Sequence, residues 1–218
     1  MNTEANTRLQ KIADFVRTRQ EETYLKRPDR AEFDRELISL DYRWRHTLRV
    51  AQFGKLLAEA EGADVELVVA ACLLHDVASF DQMENDRDHG RVGAGIARPL
   101  LVELGYTPEQ VENIYYSIAA HVDVENPETL EARVVTDADN VDRFWAYRLL
   151  QWCLPDIGDY DKLAEKLRAR VERLERLKTD YTLCTPSGQK LFLERLDFQI
   201  GFYKAFVEQH DLSTMPLI

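Results

Sequence analysis

Apolar residues recur along this chain at intervals of three and four, and rarely of two, which is the spacing of helix faces. Between residues 39 and 61, Leu40, Trp44, Leu48, Ala51, Leu56 and Ala60 trace one such face. Asp64 stands where an N-cap belongs and predicts a helix over 65–78. Thr107-Pro108 reads as N-cap and first helical residue of a helix running to about His121, and Asn126-Pro127 as the start of one carrying 128–153. Gly62-Ala63-Asp64 and Gly105-Tyr106-Thr107 supply breaks. In the last third, Leu163, Leu167, Val171, Leu174 and Leu177 lie amid many charges over 160–180, a strongly amphipathic pattern. Thr185-Pro186 then opens a helix carrying Leu191, Leu193, Leu196, Phe198, Phe202 and Phe206. These two helices are expected to cap the core or to form a homodimer face. The polar, breaker-rich stretch SFDQMENDRDHG, near 79–90, predicts a loop at the mouth of a site. No alternating strand and no repeat emerges. The expected fold class is therefore all-α, with one domain over 1–155 (core about 40–150) and a C-terminal helical extension over 156–218.

Composition narrows the functional classes. The chain has 218 residues, 45% of them hydrophobic, enough for one large domain or a domain with an appendage. Cys72, Cys153 and Cys184 are scattered and form no CxxC pair, which argues against a disulfide framework or a zinc ribbon. The start, MNTEANTRLQKIADF, has no apolar signal-like run, and no segment holds 18 uninterrupted apolar residues. A cytoplasmic location away from membranes is expected. The formal net charge of −11 disfavours wrapping of nucleic acid through its phosphates, although a local metal or arginine cluster still suits a small anion.

The candidate chemistry starts at VVAACLLHDVASFD, residues 68–81, where a core-like helix runs into His75 and Asp76. Both are costly to bury unless something pairs them. Neighbours on a helix diverge by about 100°, so both reach one ion only if it lies off the helix end. Asp76 has two oxygens and can bridge to a second ion. Of the five histidines, His46, His75, His89 and His121 stand at helix ends or on apolar faces, and His210 in EQHDL reads as solvated. One histidine alone would ordinarily be a satisfied core or surface residue. Together, RHTLRV, LLHDV, DHGRVGAG, AAHVD and TDADNVD present imidazoles and carboxylates at successive landmarks. That donor set suits Mn, Fe, Co, Ni or Zn.

In this order His46, then His75-Asp76, then an aspartate in DADNVD, the sequence resembles the HD-domain superfamily of metal-dependent phosphohydrolases over roughly residues 40–150. YRWRHTLRVAQFGKLLAEAEG and ACLLHDV carry the likeness in residue type as well as spacing. The resemblance implies an HD-domain-like helical bundle that hydrolyses a phosphoester or phosphoanhydride bond, often of a nucleotide. Carried across, it implies metal ligands His46, His75, Asp76 and Asp139, with Asp137 as the rival to Asp139. Asp142, one turn beyond Asp139, is more naturally a neighbour than a first ligand, and for Asp137 and Asp142 alike the alternative is plain helix polarity or a hydrogen bond to a ligand. Branches similar to bacterial diadenosine tetraphosphate hydrolases add two histidines, matched here by His89 before GRVGA and His121 after SIAA. That implies two ions bridged by Asp76; the alternative is one ion, with His89 and His121 on substrate phosphate. A GYP-type signature is missing, which disfavours the cyclic-dinucleotide branch.

A bound divalent ion lowers the pKa of its water toward neutrality and polarises a phosphoryl oxygen. Asp76, His89, His121 and Arg91 are the expected catalytic residues. Among the arginines offering donors to developing charge, Arg91 ranks before Arg49 and Arg98. The competing reading is a non-catalytic regulatory HD module that binds a nucleotide or protein partner.

Overall fold

A computed structural model of the chain describes residues 2–35, 38–85 and 88–216. Among them are ten α-helices and no strand: α1 Thr3–Lys26, α2 Arg30–Arg35, α3 Leu40–Glu61, α4 Val65–Leu74, α5 His89–Glu103, α6 Pro108–Asp123, α7 Leu130–Arg143, α8 Ala146–Cys153, α9 Tyr160–Asp180 and α10 Pro186–Thr214. The class is all-α. No helix among the described residues is long and apolar enough to cross a membrane.

Local chemistry sets the helix ends. Ser39 caps α3, and Asp64 accepts from the amides of Glu66 and Leu67 to open α4. Thr107 and Gln110 form a reciprocal capping box at α6. Gly62 ends α3 with φ 78°, a left-handed conformation that glycine adopts without a Cβ clash. Two expected helices differ from the observed ones. The helix expected over 65–78 stops at Leu74, where i→i+3 bonds from Val77, Ser79 and Asp81 tighten the backbone into turns. The helix expected over 128–153 starts at Leu130, because Thr129 rather than Asn126 caps it through the Ala132 amide, and it breaks between Arg143 and Ala146. In the expected 79–90 loop, residues 81–85 are bends and coil; Asp86 and Arg87 lie outside the described residues.

The described chain forms two compact units, Met1–Asp142 with Cys184–Gly188, and Arg143–Leu183 with Gln189–Ile218. Set beside the contiguous 1–155 and 156–218 expected from the sequence, α8 falls in the second unit and a five-residue segment returns to the first. Asp137 accounts for that return: its carboxylate accepts from the amides of Cys184 (2.8 Å) and Thr185 (2.7 Å) and from the Thr185 hydroxyl (2.7 Å). In the first unit α4 packs against α1, α3 and α6. Every residue of α4 from Leu67 to Leu74 is buried, as an all-apolar helix requires. Gly54 permits the approach of α3 to α4, since a Cβ there would strike Cys72 Sγ.

Candidate metal centre

α4 delivers its two polar residues at its C-terminal end. Helix ends leave carbonyls without partners, and His75 uses one: its Nδ1–H donates to the Cys72 carbonyl at 2.7 Å. His121 repeats the device near the end of α6, with Nδ1–H donating to the Ile118 carbonyl at 2.6 Å. On α3, His46 Nδ1–H donates to Asp142 at 2.7 Å, and Asp142 is itself gripped by Arg49 Nε and Nη2 at 2.7 and 3.0 Å. In each imidazole the outer nitrogen is occupied and the tautomer fixed, which leaves Nε2 as the inward-facing donor atom.

The Nε2 atoms converge. His46 and His75 approach to 3.3 Å, and both stand 3.4–3.5 Å from Asp76 Oδ2. Asp139 Oδ1 is 3.2 Å from His46 Nε2 and 3.9 Å from His75 Nε2. On the other side, His89 Nε2 is 3.3 Å from His121 Nε2 and 3.4 Å from Asp76 Oδ1. Asp76 therefore turns one oxygen to each of two triads, His46–His75–Asp76 and Asp76–His89–His121, whose donor atoms lie within 4.8 Å of one another. Adjacent ligands around an ion at about 2.1 Å sit roughly 3.0–3.4 Å apart, so both clusters can hold a divalent metal. His46, His75 and Asp76 are at most 4% exposed. The His89 side chain is 23% exposed and forms the open edge.

The electrostatics fit a cation. Burial acts to raise the Asp76 pKa, but Arg43 first, then His75, His46 and His89, hold it well below the usual carboxylate range. Burial depresses His75, reinforced by the charge of His46, and brings His121 down to about 4. His46 is instead lifted to about 9, because Asp139 and Asp142 outweigh its burial. At His75 and His121, neutral imidazoles whose Nδ1–H is already donated point lone pairs inward, an arrangement that a cation relieves, and His46 would release its proton on binding one.

The structure thus brings His46, His75, Asp76, His89, His121 and Asp139 together. Asp137 is occupied by the 184–185 segment, and Asp142 lies behind His46. Arg91, with 63% of its side chain exposed, pairs with Asp88 and Asp123. Arg98 pairs with Glu112 and lies over the Tyr115 ring. Sequence reasoning missed Arg43, whose guanidinium pairs with Asp76 Oδ2. A signal existed: Arg43 precedes His46 by three residues and so shares its helix face. It also missed Gln20, whose amide donates to the Asp76 carbonyl at 3.2 Å. His210, expected to be solvated, sits between Asp161 and Asp211, and its side chain is 12% exposed.

An all-α unit with histidines and aspartates gathered at helix ends defines a class of metal-binding helical domain. Residues 43–143, just under half of the chain, match the HD-domain family. The chain is 34% identical over 176 residues to ribonuclease Y of Desulforudis audaxviator, covering 80% of this chain and 29% of that one, so it spans under a third of that relative. An HD-superfamily hydrolase from Bacillus thuringiensis superposes with a TM-score of 0.69 at 21% identity, over 95% of this chain and 98% of that one. Bacillus subtilis YpgQ, solved in complex with ADP, gives a TM-score of 0.60 at 19% identity, over 93% and 96% of the two chains. At these identities the structural likeness is one of fold.

Proposed function

We propose that this chain is a divalent-metal-dependent phosphohydrolase that cleaves a phosphoester or phosphoanhydride bond of a small phosphorylated molecule, a nucleotide foremost. The observation that carries the reading is the double triad around Asp76, with three imidazoles pinned at Nδ1. The ADP complex of YpgQ supports a nucleotide, and the ribonuclease Y relative supports cleavage at phosphorus. His46, His75, Asp76 and Asp139 would hold one ion; Asp76, His89 and His121 would hold a second. When bound, the metal would supply an activated water and neutralise phosphoryl charge. The chain's own residues orient and balance this centre. Asp142, clamped by Arg49, fixes the His46 ring, and Arg43 offsets the Asp76 charge. His89 stands at the open edge, where it meets substrate phosphate first. Arg91, two residues further along α5, would leave its carboxylate partners to bind that phosphate. The free thiols at Cys72, Cys153 and Cys184 suit a reducing compartment, and we place the activity in the cytoplasm.

The test is metal analysis of protein purified without chelator, followed by phosphate release from nucleoside mono-, di- and triphosphates and from a short RNA. Metal-dependent release from a nucleotide supports the reading. Cleavage of RNA alone moves the substrate to a phosphodiester polymer. Metal bound without turnover on any compound leaves the regulatory module.

A further inference from the structure

The second unit holds another concentration of buried polar groups. α10 presents Arg195, Gln199 and Tyr203 at four-residue spacing, 8%, 0% and 0% exposed. The Tyr203 hydroxyl, Gln199 Oε1 and Arg170 Nε are buried without a hydrogen-bond partner among the described residues. Arg170, on α9, is 8% exposed and lies with its guanidinium carbon 4.4 Å from the centre of the Trp152 ring. It makes no hydrogen bond or ion pair with any described residue. Lys166, one turn earlier over the same ring at 5.2 Å, is by contrast paired with Asp156 at 2.7 Å. Burial pushes the Arg170 guanidinium below its ordinary value; the Tyr203 phenol opposes this, while Arg173 and Arg148 add to it.

Supply is not the reason for the missing partner, since the chain carries 39 acidic residues against 28 lysines and arginines. Arginine cannot relieve burial by losing its proton at neutral pH. A buried cation is retained when something pairs it. A planar guanidinium offers parallel donors to an oxyanion, and a phenol adds one more. We infer that the second unit carries an anion site of the phosphate class, with Arg170 at its base and the Tyr203 hydroxyl donating from α10. The anion is either free phosphate or the phosphate group of a nucleotide. The site stands independently of the proposed hydrolase chemistry.

The full chain would be titrated with inorganic phosphate and with ADP by calorimetry and thermal melts, in chelator and at constant ionic strength. Both ligands are expected to bind and to raise the melting temperature. Tighter binding of ADP assigns the site to nucleotides, and equal or weaker binding to the free anion. Arg170→Gln should weaken binding roughly tenfold or more, as expected for losing a charged hydrogen-bond donor, and should melt no lower than wild type without ligand. Tyr203→Phe should weaken it about threefold. No response to either ligand at about ten millimolar, or an equal response to chloride, overturns the proposal. So does an Arg170→Gln protein that melts lower yet binds phosphate like wild type, because Arg170 then serves only to pack on Trp152. If Arg170→Gln does not fold, unchanged affinity in Tyr203→Phe overturns the proposal by itself.

Discussion

The first unit buries imidazoles and carboxylates around Asp76; the second buries Arg170 against Trp152. In the first, the Cys72 and Ile118 carbonyls and the Asp142 carboxylate each accept an Nδ1–H, which turns the Nε2 atoms of His75, His121 and His46 inward. In the second, the Arg170 guanidinium has a ring beneath it and a buried Nε with no acceptor among the described residues. The two regions solve one problem, buried charge in a medium that penalises it, with opposite signs. The donor and acceptor atoms tell what each would bind: a cation among imidazole and carboxylate ligands, an anion beside a guanidinium.

The sharpest break of this contrast is Asp76→Asn. Removing the bridging charge should lower metal-dependent turnover by about a thousandfold or more and abolish the rise in melting temperature that Mn gives the wild type. A metal-induced rise that survives the change would take Asp76 out of the centre. Next, Asp142→Asn keeps the shape but loosens His46. Metal affinity, read by competition with a chelating dye, should fall about 10–100-fold. An unchanged affinity would mean that the His46 ring is held by packing alone.

Asp137 sharpens the comparison from within the first unit, as a fully buried carboxylate that needs no cation because amide and hydroxyl donors satisfy it. Asp137→Ala should cost about 2–3 kcal/mol in denaturant unfolding, from donors left without an acceptor, with bound metal per folded molecule unchanged. Loss of metal would place Asp137 in the centre after all. The smallest effect belongs to Arg91, exposed and already shared by two carboxylates. Arg91→Ala should raise KM about threefold and leave stability within error, as surface pairs do. A fall in kcat with KM unchanged would contradict a phosphate-binding role.

The helical class and the order of the metal-centre residues were legible because both follow local rules. Caps such as Asp64 and Thr107 act within three residues. The apolar face expected for α3 was misplaced, since Leu48, Leu56 and Ala60 are exposed and the helix buries His46, Val50, Phe53 and Leu57 with Ala51. The end of α4 was harder to read, because Val77 and Ala78 continue the apolar run while the backbone has already tightened into turns. The break after Arg143 was hidden in the same way, since 144–153 keeps helical spacing on both sides of it. Arg43 was readable from its offset to His46 but was passed over for arginines nearer the loop. The role of Asp137 was not readable at all, because its donors lie 47 and 48 residues away and nothing in TDA or CTP announces the pairing.

That pairing also bears on how the first unit can close. As the chain emerges from the ribosome, α1 to α7 can gather around α4 early, yet the carboxylate of Asp137 then lies in the interior with nothing to accept from. Its donors, Cys184 and Thr185, follow the whole of α8 and α9 in the chain, and beside them the Ser187 amide donates to Glu61 at 2.8 Å. A fragment ending at 142 or at 155 would hold all six clustered histidines and aspartates but leave that acceptor open. The shortest piece that closes the first unit runs to Gly188.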